Sequence, residues 1–232
     1  NHVGLDHAWI RERPELFVQS AVEVPGTIVQ QGRGRLFWLA HGKDPYFAPW
    51  SDTVQLDYRR PVTRAAMIEL LASIAGRCDG VRCDMAMLLL NEIFAKTWER
   101  FEVATPPPTV EFWASAISAI KQKYPEFLFL AEAYWGLEQE LQTIGFDYTY
   151  DKTLYDALVS RDTAGVQRHL LSLSGRQLAA GAHFLENHDE PRIAAILSPA
   201  EQRAAAIAIL GLPGMRFLHD CQLSGARIKL PV

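Results

Sequence analysis

The sequence predicts an α/β fold built on parallel strands and arranged as a barrel. Three observations carry this. From Pro61 onward, short apolar runs alternate with helical patterns about five times, and that alternation builds a parallel sheet covered by helices. The runs Gly80-Val81-Arg82-Cys83-Asp84-Met85-Ala86, Phe129-Leu130-Ala131-Glu132-Ala133 and Phe184-Leu185-Glu186-Asn187-His188-Asp189-Glu190 all end in carboxylates and other polar groups. Reactive tips on several strands suit the rim of a barrel better than the single switch-point crevice of an open sheet. Asp84, Glu132 and Asp189 are therefore expected to converge on one pocket.

Residues 1 to about 60 read as mostly irregular chain rich in Gly, Pro, Trp and Arg. Gln30-Gln31-Gly32-Arg33-Gly34-Arg35 is a turn signal before a short strand, Leu36-Phe37-Trp38-Leu39. Lys43-Asp44-Pro45-Tyr46-Phe47 and Pro49-Trp50-Ser51-Asp52 read as ordered loop whose aromatics either stack on a ligand or pack beneath the loop. Thr63 to Ala75 is a helix with Ala66, Met67, Leu70, Leu71 and Ile74 on its apolar face and Gly76 as its stop. A strand over 80–86 and a helical stretch through Phe94 and Trp98 follow. The stiff loop Thr105-Pro106-Pro107-Pro108-Thr109 leads to a helix over 110–123, closed by Tyr124-Pro125.

The spacing then predicts strands over 127–133, 146–150, 181–186 and 215–218. Helices are expected over 137–144, stopped by Gly145, and over 154–159 and 166–173. Ser198-Pro199-Ala200-Glu201 opens the last helix, with serine as cap, proline in the first turn and glutamate three residues after the serine.

With 232 residues the chain can bury one large core or two small ones. Its 49% hydrophobic and 22% charged residues are ordinary for a globular protein. A net charge of −4 without basic runs argues against nucleic acid or an anionic membrane surface as partner. No apolar stretch is long enough to span a bilayer. Cys78, Cys83 and Cys221 are an odd set without metal-ligand spacing, so reduced thiols are expected. No secretory signal is visible, and the localisation reading leans only to the cytoplasm. Asn1-His2-Val3 reads as the interior of something longer.

Residues two apart in a strand face the same way, so Arg82 and Asp84 should share a face, as should Asn187 and Asp189 if the strand persists that far. The guanidinium of Arg82 would favour an ionised Asp84, and neighbouring negative charge would push the pKa of Glu132 up. One ionised and one neutral carboxyl form the pair that glycoside hydrolysis uses. Taken singly, an Asp at a strand end is more often a cap or loop ligand, Arg82 a structural ion-pair partner, and His188 a satisfied histidine. The recurrence on three strands, in order, shifts the balance.

As a set the motifs resemble the α-amylase family of glycoside hydrolases (family 13-like). Gly80–Ala86 is similar to that family's fourth-strand motif, Ala131-Glu132-Ala133 to the fifth, Glu186-Asn187-His188-Asp189 to the seventh, and Asn1-His2 to the end of the third. The resemblance implies a (β/α)8 TIM barrel lacking its first two strands and most of the third. Residues 1–60 would be the end of strand three plus a short domain-B-like excursion, and residues 61–232 the remaining units, strands four to eight. It implies a retaining glycosidase acting on α-1,4-glucans or maltooligosaccharides. Asp84 is its nucleophile, Glu132 its acid/base and Asp189 the stabiliser of the transition state. His2, Arg82 and His188 are expected to bind substrate, and Tyr134 and Trp135 to stack on a sugar ring.

The chemistry needs no cofactor. Asn1 matches a position that coordinates calcium in some amylases, which leaves room for a structural calcium although no Asp-rich loop supports it. His219-Asp220-Cys221-Gln222 departs from the family's more common aromatic-Gly-Gln-Glu. A transglycosylase using the same residues and a non-catalytic carbohydrate-binding relative are the alternatives. A metal-dependent hydrolase with His2, Asp84, Glu132, His188 and Asp189 as ligands is disfavoured by the cation of Arg82. A barrel without its first strands has open edges, so the 232 residues alone are expected to be inactive and to aggregate.

Overall fold

Alternating apolar side chains turn much of the segment before Pro61 into antiparallel sheet, where the sequence suggested mostly irregular chain. The computed structural model describes residues 1–32 and 35–231. Strands β1 (His2–Gly4), β2 (Gln19–Ser20), β3 (Thr27–Gly32), β4 (Arg35–Ala40) and β5 (Thr53–Gln55) lie in this segment, with a short helix α1 (Trp9–Glu12). β1 pairs with β5, His2 opposite Gln55, and β4 pairs with both β2 and β3, Ile28 opposite Leu39. Phe37 and Leu39 of β4 are buried while Leu36 is exposed, the period-two pattern of a sheet with one wet face. The polar residues of Thr27–Gly32 hid β3 from a reading by hydrophobicity. Of the expected turn, Gln30 to Gly32 belong to β3, and Arg33 and Gly34 lie outside the described residues.

The chain divides into two units, Asn1–Phe127 and Leu128–Val232, so the change of character at Pro61 falls inside the first. There α2 (Pro61–Ala75) starts with proline in its first turn and ends at Gly76. It buries Thr63, Ala66, Leu71 and Ala75, whereas Leu70 is exposed. β6 (Gly80–Cys83) is shorter than expected, because Met85 adopts a left-handed conformation (φ 42°) and turns the chain into a 3-10 turn over Ala86–Leu89. Helices α3 (Asn91–Thr97) and α4 (Phe112–Lys123) follow on either side of the proline loop. Trp113 Nε1 donates to the Ala86 carbonyl at 2.8 Å and ties α4 to the turn beyond β6. The rings of Tyr58 and Phe112, 4.7 Å apart, anchor an aromatic core.

The second unit is a βα succession: β7 (Leu128–Ala131), α5 (Glu138–Ile144), β8 (Tyr148–Tyr150), α6 (Lys152–Val159), α7 (Thr163–Ser172), α8 (Gly175–Ala179), β9 (Gly181–His183), α9 (Ile193–Ile196), α10 (Pro199–Gly211) and β10 (Met215–Arg216). β7 to β10 are neighbours in chain order and parallel, with Leu130 opposite Tyr148, Tyr150 opposite Ala182, and Ala182 opposite Met215. Each strand is shorter than predicted: β7 ends at Ala131, before Glu132, β9 at His183 and β10 at Arg216, while β8 starts late, at Tyr148. The expected Ser198–Glu201 capping box forms, and Gly145 ends α5 at φ 130°, which only glycine adopts without strain. The short helices α8 and α9 carry too few turns to show a period.

Two apolar clusters fill this unit. Tyr150, Tyr155 and Phe184 pack on one another with ring centroids 5.1 and 5.2 Å apart. Leu154, Leu185, Ile193, Leu197 and Ile209 bury the inner faces of α6, α9 and α10. Both clusters hold the segment after β9, where a predicted acid lies.

Candidate active site

In the first unit the sequence-predicted groups collect beyond β6 and at β1. The Arg82 Nη1 and Asp84 Oδ1 atoms are 2.6 Å apart, the same-face pairing that their spacing foretold. The negative charge of Asp84 reaches the His2 imidazole, so His2, Arg82 and Asp84 share one electrostatic neighbourhood. Burial holds the His2 imidazole below its ordinary value. Asp84 and Asp52 pull the other way. A neutral ring of this kind offers one donor and one acceptor. The Trp50 ring lies 5.3 Å from that of His2, and the Trp50 amide donates to the Gly42 carbonyl at 2.7 Å. The Asp44 carboxylate accepts from the amides of Tyr46 and Phe47 at 2.6 and 2.9 Å, which presents both exposed aromatics on a fixed loop.

The donors around Asn1 do not make a calcium site. Its carbonyl and its Oδ1 both accept from Gln55 Nε2, and its buried orphan atom is Nδ2, a donor. Among the described residues no three His, Cys, Asp or Glu side chains gather as metal ligands.

In the second unit Glu132 stands directly beyond β7 and is only 4% exposed. Tyr134, two residues on, donates its hydroxyl to Glu132 Oε1 at 2.7 Å. The chain then reverses through Trp135 (φ 64°) and Gly136 (φ 75°), and the Leu137 amide closes the turn on the Tyr134 carbonyl at 3.2 Å. A left-handed tryptophan is uncommon and strained. Met85, the residue after Asp84, is left-handed as well. Backbone strain thus follows Asp84 and Glu132, two of the three predicted carboxylates, and strain of this kind concentrates at functional sites.

Asp189 is reached through a loop and not a strand. β9 ends at His183, and Asn187 Oδ1 accepts from the amides of Asp189 and Glu190, both at 2.9 Å. The expectation that Asn187 and Asp189 share a strand face is therefore corrected: the side chain of Asn187 builds the turn that carries Asp189. His188 Nε2 lies 3.1 Å from Asp189 Oδ2. The charges of Glu132 and Asp189 both act on the Tyr134 hydroxyl. Burial, the bond to Glu132 and these charges raise its pKa far above the ordinary phenol value, so Tyr134 keeps its proton.

Two clusters that sequence reasoning missed support this loop and its neighbour. Glu186 is fully buried against Arg192 Nη1 at 2.9 Å, and it also accepts from the Ile193 amide. Arg192 further reaches His219 Nδ1 at 3.0 Å and the Asp220 carbonyl, so the unusual His219-Asp220 pair pins the loop after β9. Beyond β8, Asp151 caps α6 and binds His169 Nε2 at 2.7 Å and His183 Nδ1 at 2.9 Å, at the wall of a cavity of about 230 Å³. Burial works against the Asp151 charge, but the two histidines overcome it and hold its pKa at about 2. No local pattern announces partners 18 and 32 positions away.

No family model matches the chain. The α-amylase MalA of Haloarcula japonica is 26% identical over 222 residues, 93% of this chain and 30% of that protein. The crystal structure of an α-amylase from Lactobacillus plantarum superposes with a TM-score of 0.67 at 25% identity, over 99% of this chain and 50% of that one. An α-amylase from H. orenii gives a TM-score of 0.71 at 22% identity, over 100% and 50% of the two chains.

In sequence and in fold the chain is similar to α-amylases.

It spans about half the length of these solved chains, as a partial barrel would. Of the residues that the family resemblance singled out, His2, Arg82 and Asp84 gather in the first unit. Glu132, Tyr134, His188 and Asp189 gather in the second. Trp135 is 41% exposed beside them in sequence, lifted outward by its turn.

Proposed function

We propose that the chain carries the reacting carboxyls of a retaining glycosidase acting on α-glucosidic linkages in α-1,4-glucans or maltooligosaccharides. The observation that carries this reading is Glu132, a carboxyl buried directly beyond a parallel strand with a phenol donating to it. That is the place and the environment of a group that moves a proton to a departing oxygen. Arg82, 2.6 Å from Asp84, orients this carboxyl for attack on an anomeric carbon.

In the first step Asp84 bonds to the anomeric carbon while Glu132 gives its proton to the leaving glycosidic oxygen. In the second, Glu132 takes a proton from water, which displaces Asp84 and restores the original anomeric configuration. Asp189, with His188 and His2, binds sugar hydroxyls, and Trp135 stacks on a ring. Residues 1–60 then serve as the excursion after the family's third strand and residues 61–232 as the following barrel units. The relatives' names support the substrate class: three are α-amylases, and a further structural neighbour is a trehalose-6-phosphate hydrolase from Bacillus licheniformis.

The test is the Asp84→Asn variant of the complete protein, assayed on maltooligosaccharides with the first-formed anomer read by proton NMR. Loss of turnover in the variant and an α-anomer from the parent are expected. Undiminished turnover, or a β-anomer, overturns the reading. Products longer than the substrate would assign the second step to a sugar hydroxyl instead of water.

A further inference from the structure

We propose that Tyr134 is a positioning residue for Glu132, a fixed hydroxyl donor that orients the carboxyl and favours its ionised form. The inference rests on the acid/base reading of Glu132 and adds to it a second group that sets when the proton leaves.

The geometry begins with spacing. Residues two apart on extended chain point the same way, so the residue after Ala133 is the nearest whose side chain can return to Glu132. Tyr134 does so with a 2.7 Å bond from its hydroxyl to Oε1, at the length of a good O–H···O contact. Its backbone is held from behind by the left-handed pair Trp135 and Gly136 and by the Leu137 amide on its carbonyl. A tryptophan at φ 64° is a costly way to build that turn. What the turn secures is the backbone position of Tyr134.

The electrostatics give the bond a direction. Three titratable groups face the Tyr134 hydroxyl: Glu132 beyond β7, Asp189 in the loop after β9, and Tyr150 of β8. Both carboxylates disfavour a phenolate, and burial disfavours it further, so Tyr134 remains a donor over the whole range in which a glycosidase works. A donor that never titrates stabilises the carboxylate of Glu132 more than its neutral acid. The bond thereby holds Oε1 in place for the second step, where Glu132 must act as a base.

The experiment is Tyr134→Phe in the complete protein, which keeps the ring and removes only the hydroxyl. Glu132 is titrated directly by carbon-13 NMR of its side-chain carboxyl, and the pH dependence of kcat/KM is measured in parallel. Expected are a rise of about one pH unit in the Glu132 midpoint and an upward move of the alkaline limb of kcat/KM by the same amount. A kcat lower by about tenfold or more with KM little changed is expected too. In the reciprocal variant, Glu132→Gln, the slow phenolate absorbance of Tyr134 should move to lower pH. An unmoved Glu132 midpoint in Tyr134→Phe overturns the proposal. Should the parent cleave no α-glucan, the glycosidase reading falls while the NMR titration still decides the coupling of Tyr134 to Glu132.

Discussion

Replacing Asp151 by asparagine removes one charge from a buried cluster while leaving an oxygen to cap α6. In the native chain Asp151 is buried, accepts from His169 and His183 at 2.7 and 2.9 Å, and caps the Leu154 amide. Its pKa lies at about 2 against an ordinary 3.8. At about 1.4 kcal/mol per pH unit, that difference makes the charge of Asp151 worth about 2 kcal/mol of stability. The sign follows from the direction. A depressed carboxyl stabilises the fold fully above about pH 4 and loses that contribution as the pH falls through about 2. His169, raised chiefly by its bond to Asp151, stabilises fully below its ordinary 6.5 and loses its share as the pH rises through its raised value.

The cluster is therefore strongest between about pH 4 and 6.5. Urea unfolding followed by circular dichroism should place the Asp151→Asn midpoint about 1 M below the parent's near pH 5.5. The gap should narrow at pH 3 and at pH 8. Equal midpoints at pH 5.5, or a gap that does not change with pH, would refute the reasoning.

Two further stability predictions follow from the same unit. Arg192→Met strands the fully buried Glu186 carboxylate and should cost about 3–5 kcal/mol in urea unfolding; adding Glu186→Gln to it should restore part of the loss. Gly214→Ala should lower the melting temperature by at least about 4 °C, because a Cβ there would lie 2.5 Å from the Gly181 carbonyl on a backbone at φ 104°. A melting temperature unchanged in that variant would mean that β10 is not held against β9 at this point.

The helix ends were legible because their causes are local. Ser198-Pro199 with Glu201, Gly145 after α5 and Gly76 after α2 each act within a turn of chain, and each forms where its residues foretold. The segment before Pro61 was not legible. β3 owes its place to β4, opposite which Thr27, Gln30 and Gln31 are paired, and such polar residues carry no strand period of their own. The predicted strand over 181–186 failed past His183 for a related reason: apolar residues continue through Phe184 and Leu185, but they serve the core beside α6 and α9 and not a ladder.

The site divides in the same way. Asp84, Glu132 and Asp189 stand out in the sequence as candidates, since each follows an apolar strand-like run, and the pairing of Arg82 with Asp84 needs only two residues of spacing. Sequence by itself thus determined most of the succession of strands and helices after Pro61, α8 and α9 excepted, with the caps and the chemical character of the strand tips, all of which arise within a few residues. Only tertiary structure decided the partners. The Tyr134 hydroxyl went to Glu132, Asp151 went to two histidines, and Arg192 joined Glu186 to His219. Buried polar groups must find partners wherever the fold leaves one within reach, and for most of these groups that reach crosses tens of residues that no local pattern records.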